Sequence, residues 1–379
     1  MSFLSGTTIQ RFLKVYIIVL LGYLLFFRGA RVGDEQNVDI KPVRKTVGSF
    51  LTQQKQRICQ CHCPKQQCDS VRKNAVLSEQ EKRIAVRKHN GPSEDCLLTL
   101  VLPIVESDLP RLRLLDLSFN KFFNFSRVCE ILMVGIDKQY GSVLNLVSKL
   151  HLAKYLKIRL VNESDVVPEF KRVPDTPNWI RQQIIKLSIA EKVNTKFYMC
   201  MDCDMLNVKT CGVSELFEGE RAKTNMSPKE KPAGSMAHWW DGAVKVLNVT
   251  IPERYQYRFG VTPAILSKDI VMKIREHIEL RFNRPWRQHL IDRIWDSWTE
   301  YCVYSTYAMA SDMFDTYHAT TFDAVYKQFD LNVWYVNMFD NWPVEKVFNP
   351  EIPGCFVLVQ SNTKIGAEKT EEKVLKYIT

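Results

Sequence analysis

Two aspartates one residue apart, Asp202 and Asp204, follow directly on the apolar run Phe197-Tyr198-Met199-Cys200-Met201. Alternate residues of an extended chain project to one side, so the two carboxylates converge and repel unless a cation lies between them. A hard divalent ion suits that point. Mn²⁺ or Mg²⁺ takes one or two protein carboxylates and completes its shell with substrate phosphates and water. The competing reading is an Asp-rich turn that caps the next segment. Position favours the ion, because the run reads as a strand apolar on both faces, and open α/β sheets bind ligands at the carboxyl ends of such strands.

Other residues could share that chemistry. Glu106 and Asp108 follow the apolar run Cys96 to Val105 and would face the same crevice, or else cap the next helix. Arg181 and Lys186 lie off the apolar face of a predicted helix, from which each could reach a diphosphate or stay solvated. In His238-Trp239-Trp240-Asp241-Gly242, indole faces can stack on the C–H patches of sugar rings while Asp241 fixes hydroxyls; buried core tryptophans are the alternative. Glu300 is hemmed by the aromatic residues of Trp295 to Tyr304, which would desolvate it and raise its pKa. That makes it a candidate general base, or otherwise a first-turn acid in a helix capped by Thr299. His318 is a candidate third metal ligand, or an ordinary hydrogen-bonded histidine.

These residues need a frame. Cys96–Val105, Glu130–Val134, Tyr155–Val161 and Phe197–Met201 are predicted strands, separated by helices at Arg111–Phe119, at Ser142–Leu152 and after Asp175-Thr176-Pro177. In the last of these, Thr176 or Asp175 can cap, Pro177 suits the first turn, and Ile180, Ile184 and Leu187 share a face with Glu191. The alternation predicts an α/β fold with a mostly parallel mixed sheet flanked by helices. Lys209–Gly234 reads as a polar, irregular loop and Tyr255–Leu266 as extended. Ser267-Lys268-Asp269 opens a helix to about Arg281, and Leu331–Val336 and Cys355–Gln360 read as closing strands. There is no P-loop, zinc-protease histidine pair or internal repeat.

The N-terminal quarter reads differently. Residues 12–27 form an apolar stretch interrupted only by Lys14, about 24 Å long as a helix, and predict a signal anchor rather than a cleaved leader. Residues 1–11 would be a cytoplasmic tail and residues 95–379 a globular domain. Between them, residues 28–94 read as a basic stem that supplies most of the chain's net charge of +10. No aromatic interleaving accompanies the charge, so no nucleic-acid partner is expected. Cys59, Cys61, Cys63 and Cys68 are spaced too tightly for a four-ligand zinc site and predict disulfides, including a disulfide-linked homodimer. Sequons at Asn124, Asn162, Asn225 and Asn248 are compatible with a luminal body, single-pass type II, in the Golgi or the ER.

An anchor, a stem, a first strand leading to Glu106 and Asp108, and a D-x-D strand end together resemble type II glycosyltransferases of the GT-A fold, the Rossmann-like nucleotide-sugar-binding architecture. More closely, Trp179-Ile180-Arg181-Gln182-Gln183-Ile184-Ile185-Lys186-Leu187, then Asp202-Cys203-Asp204, Gly260-Val261-Thr262-Pro263 and Thr299-Glu300-Tyr301 resemble a poorly characterised D-x-D family with a W-x-x-Q-Q-x-x-K-L helix and a late [ST]-E-Y motif. The likeness covers roughly residues 96 to 361. It differs at Cys203, where the usual middle residue is Ser or Thr, and a thiol beside an ion adds a redox liability. The resemblance implies Mn²⁺ or Mg²⁺ on Asp202 and Asp204 against a UDP- or GDP-linked sugar donor. Arg181, Lys186, Glu106 and Asp108 would serve the cofactor site, and Glu300 would be the base if the anomeric centre inverts. Trp239, Trp240, Asp241 and Thr262 would contact the substrate, a glycan, glycoprotein or glycolipid acceptor. A non-catalytic carbohydrate-binding or scaffold protein on a degenerate GT-A fold is the alternative; a metal-dependent nuclease fits an anchored, sequon-bearing body worst.

Overall fold

Leu98–Ile104 (β1) is buried at every position, which requires cover on both faces and a strand on either side. The computed structural model describes residues 96–227, 235–255, 258–259, 262–321, 325 and 329–379; the expected tail, anchor and stem cysteines lie outside them, as do Gly260 and Val261. After β1 come α1 (Leu109–Phe122), β2 (Val128–Gly135), α2 (Tyr140–Val147), β3 (Lys157–Asn162), α3 (Asn178–Ser188), β4 (Phe197–Cys200), β5 (Met205–Asn207) and β6 (Arg221–Ser227). Then follow α4 (Ser235–Leu247), β7 (Ala264–Ser267), α5 (Lys268–Phe282), α6 (Trp286–Asp292), α7 (Glu300–Ala310), β8 (His318–Thr321), β9 (Phe356–Leu358) and α8 (Ala367–Ile378).

The central sheet runs β7-β4-β1-β2-β3 and is parallel except for the β7 edge, which pairs antiparallel with β4. Helical crossovers impose the parallel pairing, so β1, β2 and β4 end on one rim. Period-two alternation then sorts the strand side chains between two cores. Val101, Leu132, Val134, Tyr198 and Cys200 face α3, α4, α5 and α7, whereas Leu100, Leu102, Ile131, Met133 and Met199 face α1 and α2. A third core gathers Leu206, Val208, Val357 and Val374 under α8. On α4, a Cβ at Gly242 would lie 2.6 Å from the Ser297 carbonyl oxygen and closer still to that of Asp296, so this helix can approach the following turn only with glycine there.

Several expectations are corrected. The expected loop at Lys209–Gly234 instead contains strands Cys211–Gly212, Phe217–Glu218 and β6 and a helical turn, Val213–Leu216, between the first two. Leu331–Val336 is no strand. Its Val333 exchanges backbone bonds with Leu358 and Gln360, but the Leu358 N–H donates to the Asn332 side chain, which takes the place of a ladder bond. Neither Asp175 nor Thr176 caps α3; the Thr176 hydroxyl donates back to the Val173 carbonyl at 2.8 Å. Disulfides join Cys96 to Cys129 and Cys211 to Cys355, while Cys200, Cys203 and Cys302 are buried and lie outside these bonds. Among the described residues, no helix is long and apolar enough to cross a membrane.

Candidate active site

Helix α3 and the first turn of α7 are clasped together by the motif side chains. Gln183 accepts the Glu300 backbone N–H at 3.1 Å, and one turn later Lys186 points into the same contact. The Lys186 Nζ lies 2.9 Å from Asp202 Oδ1, 3.0 Å from Glu300 Oε1 and 3.1 Å from the Tyr301 hydroxyl. Lys186 and Glu300 are almost sealed from solvent, at 3% and 1% side-chain exposure. Burial disfavours the ammonium, but Asp202 and then Glu300 outweigh it, so its pKa rises well above the ordinary lysine value. Burial likewise raises Glu300, with Lys186 opposing. Thr299 caps α7 by accepting the Cys302 N–H at 3.2 Å, which fixes the turn carrying Glu300 and Tyr301.

Asp204 is held differently. Its backbone carbonyl accepts the Val359 N–H at 3.0 Å, and its Oδ2 accepts the Ser361 N–H at 2.7 Å. Oδ1 is shielded from solvent with no hydrogen-bond partner. Burial, then the neighbouring Asp202 charge, pushes this carboxyl up to about 6. Asp108 is raised by burial too; Asp202 adds to the shift, while Arg111 acts against it on Asp108 and Asp204 alike. Asp108, Asp202, Asp204, Lys186 and Glu300 therefore belong to one electrostatic neighbourhood at the carboxyl rim of β4.

A divalent ion can be tested against this arrangement. Among the described residues, no three His, Cys, Asp or Glu side chains are grouped to hold one. Two carboxylates, one oxygen of which has no partner, suit an ion whose shell is finished by substrate oxygens. The residues fit on those terms.

Other expected site residues are placed elsewhere. His318, the expected third metal ligand, has its Nε2 against the Tyr304 hydroxyl at 2.7 Å, and its Nδ1 against Thr224 Oγ1 at 3.0 Å and the Ala222 carbonyl at 3.3 Å. Both ring nitrogens are engaged, and burial lowers its pKa to about 4. Glu300, the expected general base, is 1% exposed and paired with Lys186 at 3.0 Å. It positions Lys186. Trp240, expected in a sugar platform, is buried in the core beside α3. Trp239 is half-buried, its ring 6.5 Å from that of Trp179, and Asp241 is exposed. Arg181 pairs with Glu163 at 2.7 Å and covers the Phe170 ring, so it is already neutralised. It borders a crevice of about 30 Å³ with Ile104, Val105, Gly135 and Gln182, at the ends of β1 and β2. Glu106 is exposed, and its N–H donates to Gln139 Oε1 at 2.8 Å. The buried Thr262 hydroxyl donates to Met205 Sδ at 3.5 Å, just beyond Asp204 in the chain. Cys203 is buried, and burial raises its thiol well above the ordinary value, so little reactive thiolate remains to carry the expected redox liability.

Sequence reasoning missed Arg111, Gln183, Tyr301 and Ser361. Gln183 and Tyr301 lay inside the quoted motifs, and their spacing from Lys186 and Glu300 was the available signal. Arg111 and Ser361 reach the site only through the folding of α1 and the chain after β9.

No curated protein matches the chain. Among solved structures, mouse xyloside xylosyltransferase 1 in its apo form is similar over 71% of this chain and 99% of its own, at 12% identity and a TM-score of 0.42. The galactosyltransferase LgtC, in complex with donor and acceptor sugar analogs, is similar over 73% of this chain and 95% of its own, at 12% identity and a TM-score of 0.38. Likeness at that level transfers no activity. A family model, by contrast, matches residues 96–379, the span that carries every site residue described above, and the chain therefore belongs to DUF6492, a family of unknown function.

Proposed function

We propose that the chain is a divalent-metal-dependent glycosyltransferase that moves a sugar from a nucleoside-diphosphate donor to a glycan, glycoprotein or glycolipid acceptor. The observation that carries the reading is Asp204. One of its oxygens is fixed by the Ser361 N–H and the other is shielded and unpartnered, beside a second carboxylate at a parallel-strand rim. Asp202 and Asp204 would hold Mn²⁺ or Mg²⁺, which when bound would neutralise charge developing on the departing diphosphate. Lys186 holds Asp202 by its Oδ1 and is itself locked by Glu300 and Tyr301, so the acidic pair is set before substrate arrives. Arg111 offsets part of the negative charge, and Ser361 orients Asp204. Ile104 and Val105 line a crevice at the strand-end rim, where open α/β sheets take their ligands.

In this reading the body faces the lumen of the Golgi or ER behind a single type II anchor. Two disulfides within the fold support an oxidising compartment. The stem cysteines are proposed to link a homodimer. The test is thermal stability of residues 95–379 with UDP or GDP, with and without Mn²⁺. Saturating nucleotide is expected to stabilise the wild type by about 2–3 kcal/mol at one hundred times Kd, only with metal, and Asp204→Ala to lose the effect. A midpoint unmoved by every nucleotide in the presence of Mn²⁺ would contradict the proposal.

A further inference from the structure

The sequons at Asn124, Asn162 and Asn248 have different settings once the chain is folded, and the first stands apart. Asn124 and Ser126 are both exposed, and Asn124 Oδ1 accepts the Ser126 N–H at 2.9 Å, an Asx turn that engages the amide oxygen and not the nitrogen. Gly212 packs against the Asn124 backbone: a Cβ there would come within 2.9 Å of the Asn124 carbonyl oxygen, so the two-residue strand Phe123–Asn124 is pinned from its inner side. Beside the amide lies a cavity of about 240 Å³ bordered by Asn124, Ser126, Val213, Phe217 and Gly219, roomy enough for one saccharide ring. Asn162, by contrast, ends β3 half-buried with a shielded, unpartnered Oδ1. Asn248 is exposed, but its side-chain amide sits against the Arg281 guanidinium, 2.7 and 3.2 Å away. Independently, the Cys96–Cys129 and Cys211–Cys355 bonds call for the oxidising compartment in which asparagine glycosylation takes place.

We infer that Asn124 is an N-glycosylation site, modified from a lipid-diphosphate-linked oligosaccharide. The transfer breaks the C1–O bond to the diphosphate, which leaves with the bonding pair, and forms a C1–N bond to Asn124 Nδ2, whose proton is lost to a base. The inference stands whether or not the chain itself transfers sugar.

The full chain is expressed in a eukaryotic secretory host, treated with an amidase that releases N-glycans in ¹⁸O water, and mapped by peptide mass. The Asn124 peptide is expected as the labelled aspartate product, and Asn124→Gln is expected to remove one glycan step on a gel. Ser126→Ala is the second variant. It deletes the hydroxyl that the sequon requires but keeps the backbone N–H of the Asx turn, so it should fold normally and lose the same step. Recovery of Asn124 as the unmodified peptide, or a chain without any N-glycan, would overturn the inference.

Discussion

At the scale of single residues, the site is a problem in buried charge. Lys186 is the only cation within contact distance of Glu300 in the ion pairs described, and Glu300 is fully enclosed. Lys186→Met should therefore destabilise the fold by about 3–5 kcal/mol, as expected when one partner of a buried pair is removed, measured by urea unfolding. A loss below about 1 kcal/mol would mean that Glu300 is neutral or solvated. His318 carries a second prediction. Its folded pKa of about 4 lies below the reference 6.5, so as pH falls the unfolded chain takes the proton first. Stability from this group is fully present above about pH 6.5 and declines toward pH 4, by about 3 kcal/mol, and His318→Gln should flatten that part of the curve. Legibility at this scale was uneven. Asp202 and Asp204 stood out because acids rarely end a buried run. Lys186 could not be told from a solvated surface cation, because the helical period put it off the apolar face of α3, and its burial comes from the docking of α7 and of the strand end at Asp202.

Between elements, the paired helices α3 and α7 do the positioning. Gln183 and Lys186, one turn apart, meet the first turn of α7, so the two motifs form a single joint between helices. Thr299→Ala should cost about 1 kcal/mol through the lost cap, seen in thermal unfolding, and should also lower any turnover, since it frays the turn that holds Glu300 and Tyr301. An unchanged midpoint would show that tertiary contacts alone fix this turn. The strands and helices of the first half were readable, because βαβ alternation and period-two burial both act locally on the sequence. Lys209–Gly234 was not. Its strand β6 closes a short hairpin with Phe217–Glu218 at its start, but pairs over four residues with β8, about a hundred residues later, and no local pattern announces that partner.

Across the whole molecule, the chain after β9 returns to close the site. β9 pairs antiparallel with β5, just past Asp204, and the Val359 and Ser361 N–H groups bind Asp204 itself. The Cys211–Cys355 bond, spanning 144 residues, secures that return. Cys355→Ser should cost about 4–5 kcal/mol on the loop-entropy account, measured by denaturant unfolding, and should weaken nucleotide binding as Ser361 loosens. Neither the pairing of these cysteines nor the reach of Ser361 could be read from spacing, because both depend on long-range closure.

The central claim is that Asp202 and Asp204 serve a departing diphosphate, and turnover tests it most directly. Residues 95–379 are incubated with a panel of nucleoside-diphosphate sugars, with Mn²⁺ or with chelator, and free nucleoside diphosphate is measured. The account expects metal-dependent release from at least one donor, reduced at least about a hundredfold by Asp204→Asn, in line with the loss of one electrostatic contact to a leaving group. Release that persists undiminished in Asp204→Asn, or in chelator, would contradict it.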